Sequence, residues 1–179
     1  MSLTIDLNFK LNGIVWQSGH VYRFRYNAWQ HDPEPTLILL YRIRGYHPTT
    51  GHEWRVIQGI NLSYVPRTFR KIFAATWVNE YEYTNGNTQF TWERVKRQFP
   101  YIEMGIRRYM YKPTYYIQNP EEVPYEMLED VIIDTWAKDF SKKVKIDLMR
   151  KYNAVKKDVK KHNLNPFGKF LNKIFRGRG

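Results

Sequence analysis

Two groups of residues have the types and spacing for chemistry. His47, His52 and Glu53 lie in and beside a GYHPTTGHE turn, with His31-Asp32 upstream. Imidazoles and carboxylates on a β-meander are what a nuclease uses to hold a divalent ion. Their spacing matches no established ligand pattern, and turn histidines that hydrogen-bond locally fit the same description. The second group is IRRYMYKPTYY, residues 106–116, in which Arg107, Arg108 and Lys112 interleave with Tyr109, Tyr111, Tyr115 and Tyr116. Stacking bases on aromatic rings while neutralising phosphates requires that interleaving. A strand that buries alternate tyrosines and solvates its arginines produces it as well.

Further catalytic signals are missing from the chain. It contains no Walker A loop, no G-x-G-x-x-G, no G-x-S-x-G and no H-E-x-x-H, and its lack of cysteine removes thiol nucleophiles, thiolate metal sites and disulfides. We therefore assign no catalytic residue, no metal and no cofactor, and read the protein as non-enzymatic. Charge is the stronger signal. Of 29 Lys/Arg and 17 Asp/Glu, residues 1–137 hold 15 and 14, whereas residues 138–179 hold 14 and 3. Nearly all of the net charge of +12 thus sits in the last quarter, where it creates a local field that attracts polyanions. The expected contacts are Arg67, Arg70, Lys71, Arg107 and Arg108, together with Lys142, Lys143, Lys145, Lys156, Lys157, Lys160 and Lys161. Nucleic acid is the leading partner and an acidic protein surface the alternative. No Asn/Gln-rich reading face accompanies the lysines, which favours backbone contact over base readout.

A chain of 179 residues is long enough for one domain with a real core, and its richness in Tyr, Phe and Trp suits an ordered fold. No apolar run approaches the ~20 residues of a spanning helix, so no membrane partner is expected. Residues 14–26 read as one strand with Tyr22, Phe24 and Tyr26 on a shared face. Residues 36–44 read as a buried strand, residues 53–57 as a third and the segment from Gly59 as a fourth, with Ile60, Leu62 and Tyr64 on one face. From Pro66 the period changes from two to 3.6, placing Phe69, Ile72, Phe73 and Trp77 on one helical stripe. Asn85-Gly86 reads as a hairpin turn between short strands, Thr91 as the cap of a helix to Phe99, and residues 106–117 as a strand that ends at Asn119-Pro120. An amphipathic helical pattern begins at Tyr125 and runs through Leu128, Ile132, Trp136 and on to Val159. Val144, Ile146 and Leu148 also alternate as a strand would, which allows a break near Ser141. Asn165-Pro166 opens a final helix with Phe167, Phe170, Leu171, Ile174 and Phe175 on one face. Three turns are marginal alone, so that face needs a partner protein, the chain's own core or a membrane surface to cover it. The division is thus 1–123, a β-barrel-like domain with inserted short helices; 124–162, an amphipathic helical segment; and 163–179, a basic amphipathic tail.

Five strings carry a family resemblance: GHVYRFRY (19–26), DPEPTLILL (32–40), GINLSYVPRTFR (59–70), IRRYMY (106–111) and PYEMLEDVI (124–132). Over about residues 19–135 the chain resembles small virion-associated proteins of contractile-tailed bacteriophages, a family described by similarity to the DNA end protector protein of T-even-like phages. The resemblance implies an α+β fold with a small SH3-like antiparallel β-barrel and appended helices, to which this chain's own charge pattern adds a basic helical C-terminal arm. It implies a structural place in a symmetric virion assembly, after synthesis in the host cytoplasm. That place is either at the head-to-tail joint against the end of the packaged double-stranded DNA, or among neck, tail or baseplate proteins. The chain departs from the family in the GYHPTTGHEW insertion between barrel segments and in its basic tail. The function peculiar to this member is therefore expected in the tail.

Overall fold

The computed structural model describes residues 3–28, 33–46, 49–51, 53–134, 146–147, 149–150, 153–154 and 157. Among the described residues, eight strands and three continuous α-helices form an α+β fold: β1 (Thr4–Asp6), β2 (Asn8–Leu11), β3 (Ile14–Gln17), β4 (Val21–Tyr26), β5 (Thr36–Tyr46), β6 (Glu53–Asn61), α1 (Arg67–Tyr83), α2 (Thr88–Gln98), β7 (Ile106–Met110), β8 (Ile117–Val123) and α3 (Leu128–Asp134). The main sheet is antiparallel in the order β7-β6-β5-β4-β8, with β1 paired to the far half of β5, while β2 and β3 form a separate hairpin.

The sheet is buried on both faces because β5 alternates its side chains between two cores. Leu37 and Leu39 enter an aromatic core with Phe9, Trp16, Tyr22, Phe24, Tyr26, Ile57, Tyr109 and Tyr111. Ile38 and Leu40 enter a second core against the helices, with Phe69, Phe73, Trp77, Phe99 and Leu128. Within the aromatic core Trp16 stacks on Tyr22 at 4.3 Å and Phe24 meets Tyr109 edge-on at 5.3 Å. Burial pushes the Tyr22 hydroxyl up to about 12. The Met110 amide donates to the Tyr26 hydroxyl at 3.1 Å, which joins β7 to β4 although two strands lie between them in the ladder. The sheet therefore curls around its aromatic side, and the β2-β3 hairpin lies over that side. No ladder joins β7 to β8 among the described residues, so the curl is not closed into the expected barrel.

Three aromatic donors tie the two layers together at one turn. Trp77 Nε1 and the Tyr125 hydroxyl donate to the Gly19 carbonyl at 2.9 and 2.8 Å, and the Tyr81 hydroxyl donates to the Ser18 carbonyl at 3.0 Å. Gly19 has φ +91° there, a conformation open to glycine. It splits the single strand expected over residues 14–26 into β3 and β4.

Other expectations change for equally local reasons. Asn85 and Gly86 do have positive φ, but they end α1, with the Gly86 amide donating to the Tyr81 carbonyl at 2.8 Å. Left-handed residues close helices as readily as hairpins, and the stripe Phe69, Phe73, Trp77, Tyr81 carries the helix through the segment expected to be a strand. Asn87, not Thr91, caps α2 by accepting from the Phe90 amide. Residues 53–61 form one strand across Gly59, followed by a 3-10 turn at Leu62–Tyr64. β8 continues through Pro120 because it pairs only with β4 and its other edge has no partner strand among the described residues. Leu128 and Ile132 of α3 join the helical core. No described helix is long and apolar enough to cross a membrane.

Candidate polyanion interface

About half of the body's cations are held by its own carboxylates. Arg42 and Arg44 reach Asp6 at 2.7 and 2.9 Å, Arg55 pairs with Glu53 at 2.5 Å and Lys96 with Glu103 at 2.6 Å. Arg94 pairs with Glu80, Lys71 with Glu129, and Arg23 approaches Glu34 at 3.6 Å. Among the described residues, seven of the 15 Lys/Arg in residues 1–137 are therefore seen in ion pairs. The exposed ones among these pairs stabilise little, but all of them flatten the local field.

The five expected contacts in the body divide accordingly. Arg67 is exposed on the first turn of α1, and Lys71, one turn on, is also exposed but held by Glu129. Arg70 is the correction. It is 1% exposed, with Nε donating to the Val65 carbonyl at 2.8 Å and Nη2 to the Ser63 carbonyl at 3.0 Å. It fastens the turn before α1 to the helix and offers nothing to an external phosphate. The periodicity that marks it polar and off the apolar stripe cannot reveal that loop carbonyls meet it from behind.

Arg107 and Arg108 are neighbours on β7 and so project to opposite faces of the strand. The Arg107 guanidinium lies 3.7 Å over the Tyr64 ring and donates to the Met104 and Ile106 carbonyls. Arg108 is exposed, donates from Nε to Gln58 Oε1 at 2.7 Å and sits 5.3 Å from the Trp54 ring. Next along the strand Tyr109 is buried, and Tyr111 follows it into the core. Base stacking on those two rings is thereby replaced by core packing, while Tyr115 remains 58% exposed. The two arginines, on opposite faces of β7, do not share one surface.

Of the C-terminal cations, Lys157 is described as helical and exposed. Lys142, Lys143, Lys145, Lys156, Lys160 and Lys161 lie outside the described residues, as does the apolar stripe Phe167, Phe170, Leu171, Ile174 and Phe175. Residues 146–147, 149–150 and 153–154 are helical, and Ile146 is 51% exposed, which settles the helix-or-strand ambiguity at Ile146 for the helix. His31, Asp32, His47 and His52 lie outside the described residues, and Glu53 pairs with Arg55. Among the described residues no His/Asp/Glu group could hold a metal ion.

Sequence reasoning did not find one cleft of the body. A cleft of about 700 Å³ opens where the helical layer stops short of the far half of the sheet. Ile5, Leu7, Tyr41, Gln58, Trp92 and Glu93 line it, and among the described residues no Lys or Arg does. Gln58 Nε2 donates to the Tyr41 hydroxyl at 2.7 Å on its floor, continuing the link from Arg108. Beside it, β1 is patterned in reverse: Asp6 turns inward to Arg42 and Arg44, while Leu3, Ile5 and Leu7 are 41%, 61% and 53% exposed. The alternation of LTIDL was the available signal. No family model matches the chain, and no curated protein or solved structure matches it either.

Proposed function

We propose that this is a non-enzymatic virion protein of a contractile-tailed phage, seated at the head-to-tail joint, where its C-terminal segment binds the end of the packaged DNA. The observation that carries the reading is the contrast between a body of nearly balanced charge, with 15 Lys/Arg against 14 Asp/Glu in residues 1–137 and seven of those cations in ion pairs, and a 42-residue segment with 14 Lys/Arg against 3 Asp/Glu. A duplex presents a dense row of phosphates, and lysines spaced along a helix meet that row without reading bases. The curled sheet around an aromatic core suits the small SH3-like barrel that the resemblance implies, although fold alone does not assign a role. A second reading is a structural subunit of the tail, baseplate or neck whose basic arm docks on an acidic neighbour; the apolar stripe at 166–176 favours it, because DNA does not cover such a face.

Retention of linear duplex DNA, measured by fluorescence anisotropy across a salt series, separates the two. Contacts to 6–10 phosphates weaken binding by ~10³–10⁵ between about 50 and 200 mM salt. A full-length chain with Lys142, Lys143, Lys145, Lys156, Lys157, Lys160 and Lys161 each changed to Gln is expected to lose that dependence, as is a chain ending at Lys138. Unchanged affinity in both would refute the DNA reading, and an intact chain that ignores DNA but co-purifies with tail proteins would establish the alternative.

A further inference from the structure

The reversed patterning of β1 leaves an apolar row without a cover. A strand that pairs at a sheet edge normally turns its apolar residues inward, yet here the carboxylate of Asp6 is inside and Leu3, Ile5 and Leu7 are outside. Ile5 and Leu7 continue into the cleft, whose opposite wall is Trp92 and Glu93 of α2. The lining combines apolar side chains with amides and one carboxylate. Among the described residues no Lys or Arg lines this cleft. Such a surface repels phosphate and accepts an amphipathic segment that is apolar on one side and cationic on its flanks.

We infer that the cleft is the docking site of the chain's own residues 166–176. Phe167, Phe170, Leu171, Ile174 and Phe175 recur at helical spacing, with Lys169, Lys173 and Arg176 off that stripe. Eleven helical residues span about 16 Å. Laid across the cleft, the stripe covers Ile5, Leu7 and Trp92 while a flanking cation meets Glu93. The tether is long enough: residues 135–165, even if wholly helical, reach about 46 Å, against a radius of gyration of about 14 Å for a body of this size. Docking within one chain is favoured over docking between copies because such a tether holds the segment at an effective concentration near the millimolar range. The lysines at 142–161 precede the docked segment in the chain and are no part of it, so the inference stands independently of DNA binding.

The absence of cysteine makes the test clean. In the full chain, Gln89→Cys on the cleft rim is combined with Gly168→Cys, and treated with a short thiol-to-thiol cross-linker. A second protein combines Gly168→Cys with Tyr115→Cys, exposed on the turn before β8. Cross-linked monomer is expected to form about tenfold faster in the first than in the second. That advantage is expected to vanish when Ile5→Asp is added, or when Phe170→Asp and Ile174→Asp are added together. These sites are exposed or lie in the tail, so folding of the body is checked by its unchanged circular dichroism. Equal rates for the two pairs would overturn the inference. Cross-linked dimer without cross-linked monomer would overturn it too, by making a second copy the occupant.

Discussion

Replacing Arg70 by Met separates an arginine that holds the fold from the cations assigned to the partner. The variant keeps a long apolar stem and removes the guanidinium, which donates at 2.8 Å to Val65 and 3.0 Å to Ser63. Each hydrogen bond from a charged group contributes about 1.5–3 kcal/mol net, and each orphaned buried carbonyl costs about 1–3 kcal/mol. Against this, removing a buried charge recovers part of a desolvation cost of several kcal/mol. The expected balance is a loss of about 2–4 kcal/mol, which lowers Tm by roughly 5–15 °C for a chain of this length. Arg67→Gln, on the same turn but exposed, is expected to stay within about 0.5 kcal/mol of the parent. Thermal and urea unfolding followed by circular dichroism measure both, and the salt dependence of DNA retention is measured on the same proteins. If Arg70→Met is as stable as the parent, the buried carbonyls do not depend on it. If it is stable and binds DNA more weakly, the assignment of Arg70 as a surface contact was right and its burial is wrong.

Two further outcomes test the packing. Gly59→Ala is expected to lower stability by about 1–3 kcal/mol through overpacking, because a Cβ there meets the Ile38 carbonyl oxygen and lies 2.7 Å from Leu37 Cγ; unchanged urea unfolding would show that β5 and β6 are not so close. Burial raises the Asp6 carboxyl, but hydrogen bonds and charges from Arg42 and Arg44 outweigh that and hold it below its ordinary value of 3.8. A depressed carboxyl stabilises fully above the unfolded value and loses its contribution as pH falls through the folded one. The Tm gap between the parent and Asp6→Asn is therefore expected to be constant near neutrality and to shrink below about pH 4; a gap independent of pH would remove the pair's role.

The alternations and stripes of the sequence were enough to identify several elements, because burial repeats with the period of the backbone. Tyr22, Phe24 and Tyr26 share one face as read, and Phe69, Phe73 and Trp77 line one side of a helix. The concentration of cations beyond residue 138 is likewise a property of the chain itself. Contacts from distant residues decided the rest. Asn85-Gly86 has one local conformation that serves two architectures, and only the continuation of the α1 stripe through Tyr81 selects the helix end. Pro120 is compatible with a strand once that strand has a free edge, and strand order is not written in a window of sequence. Arg70 and Arg107 are both arginines beside aromatic residues; one lies inside because the carbonyls of Ser63 and Val65 turn toward it, and the other stays half-exposed over Tyr64. Composition and period thus determined which segments are amphipathic and where charge accumulates. Three-dimensional packing alone decided which polar groups face other parts of the chain and which face a partner, because the burial of a polar group depends on what arrives from elsewhere in the fold.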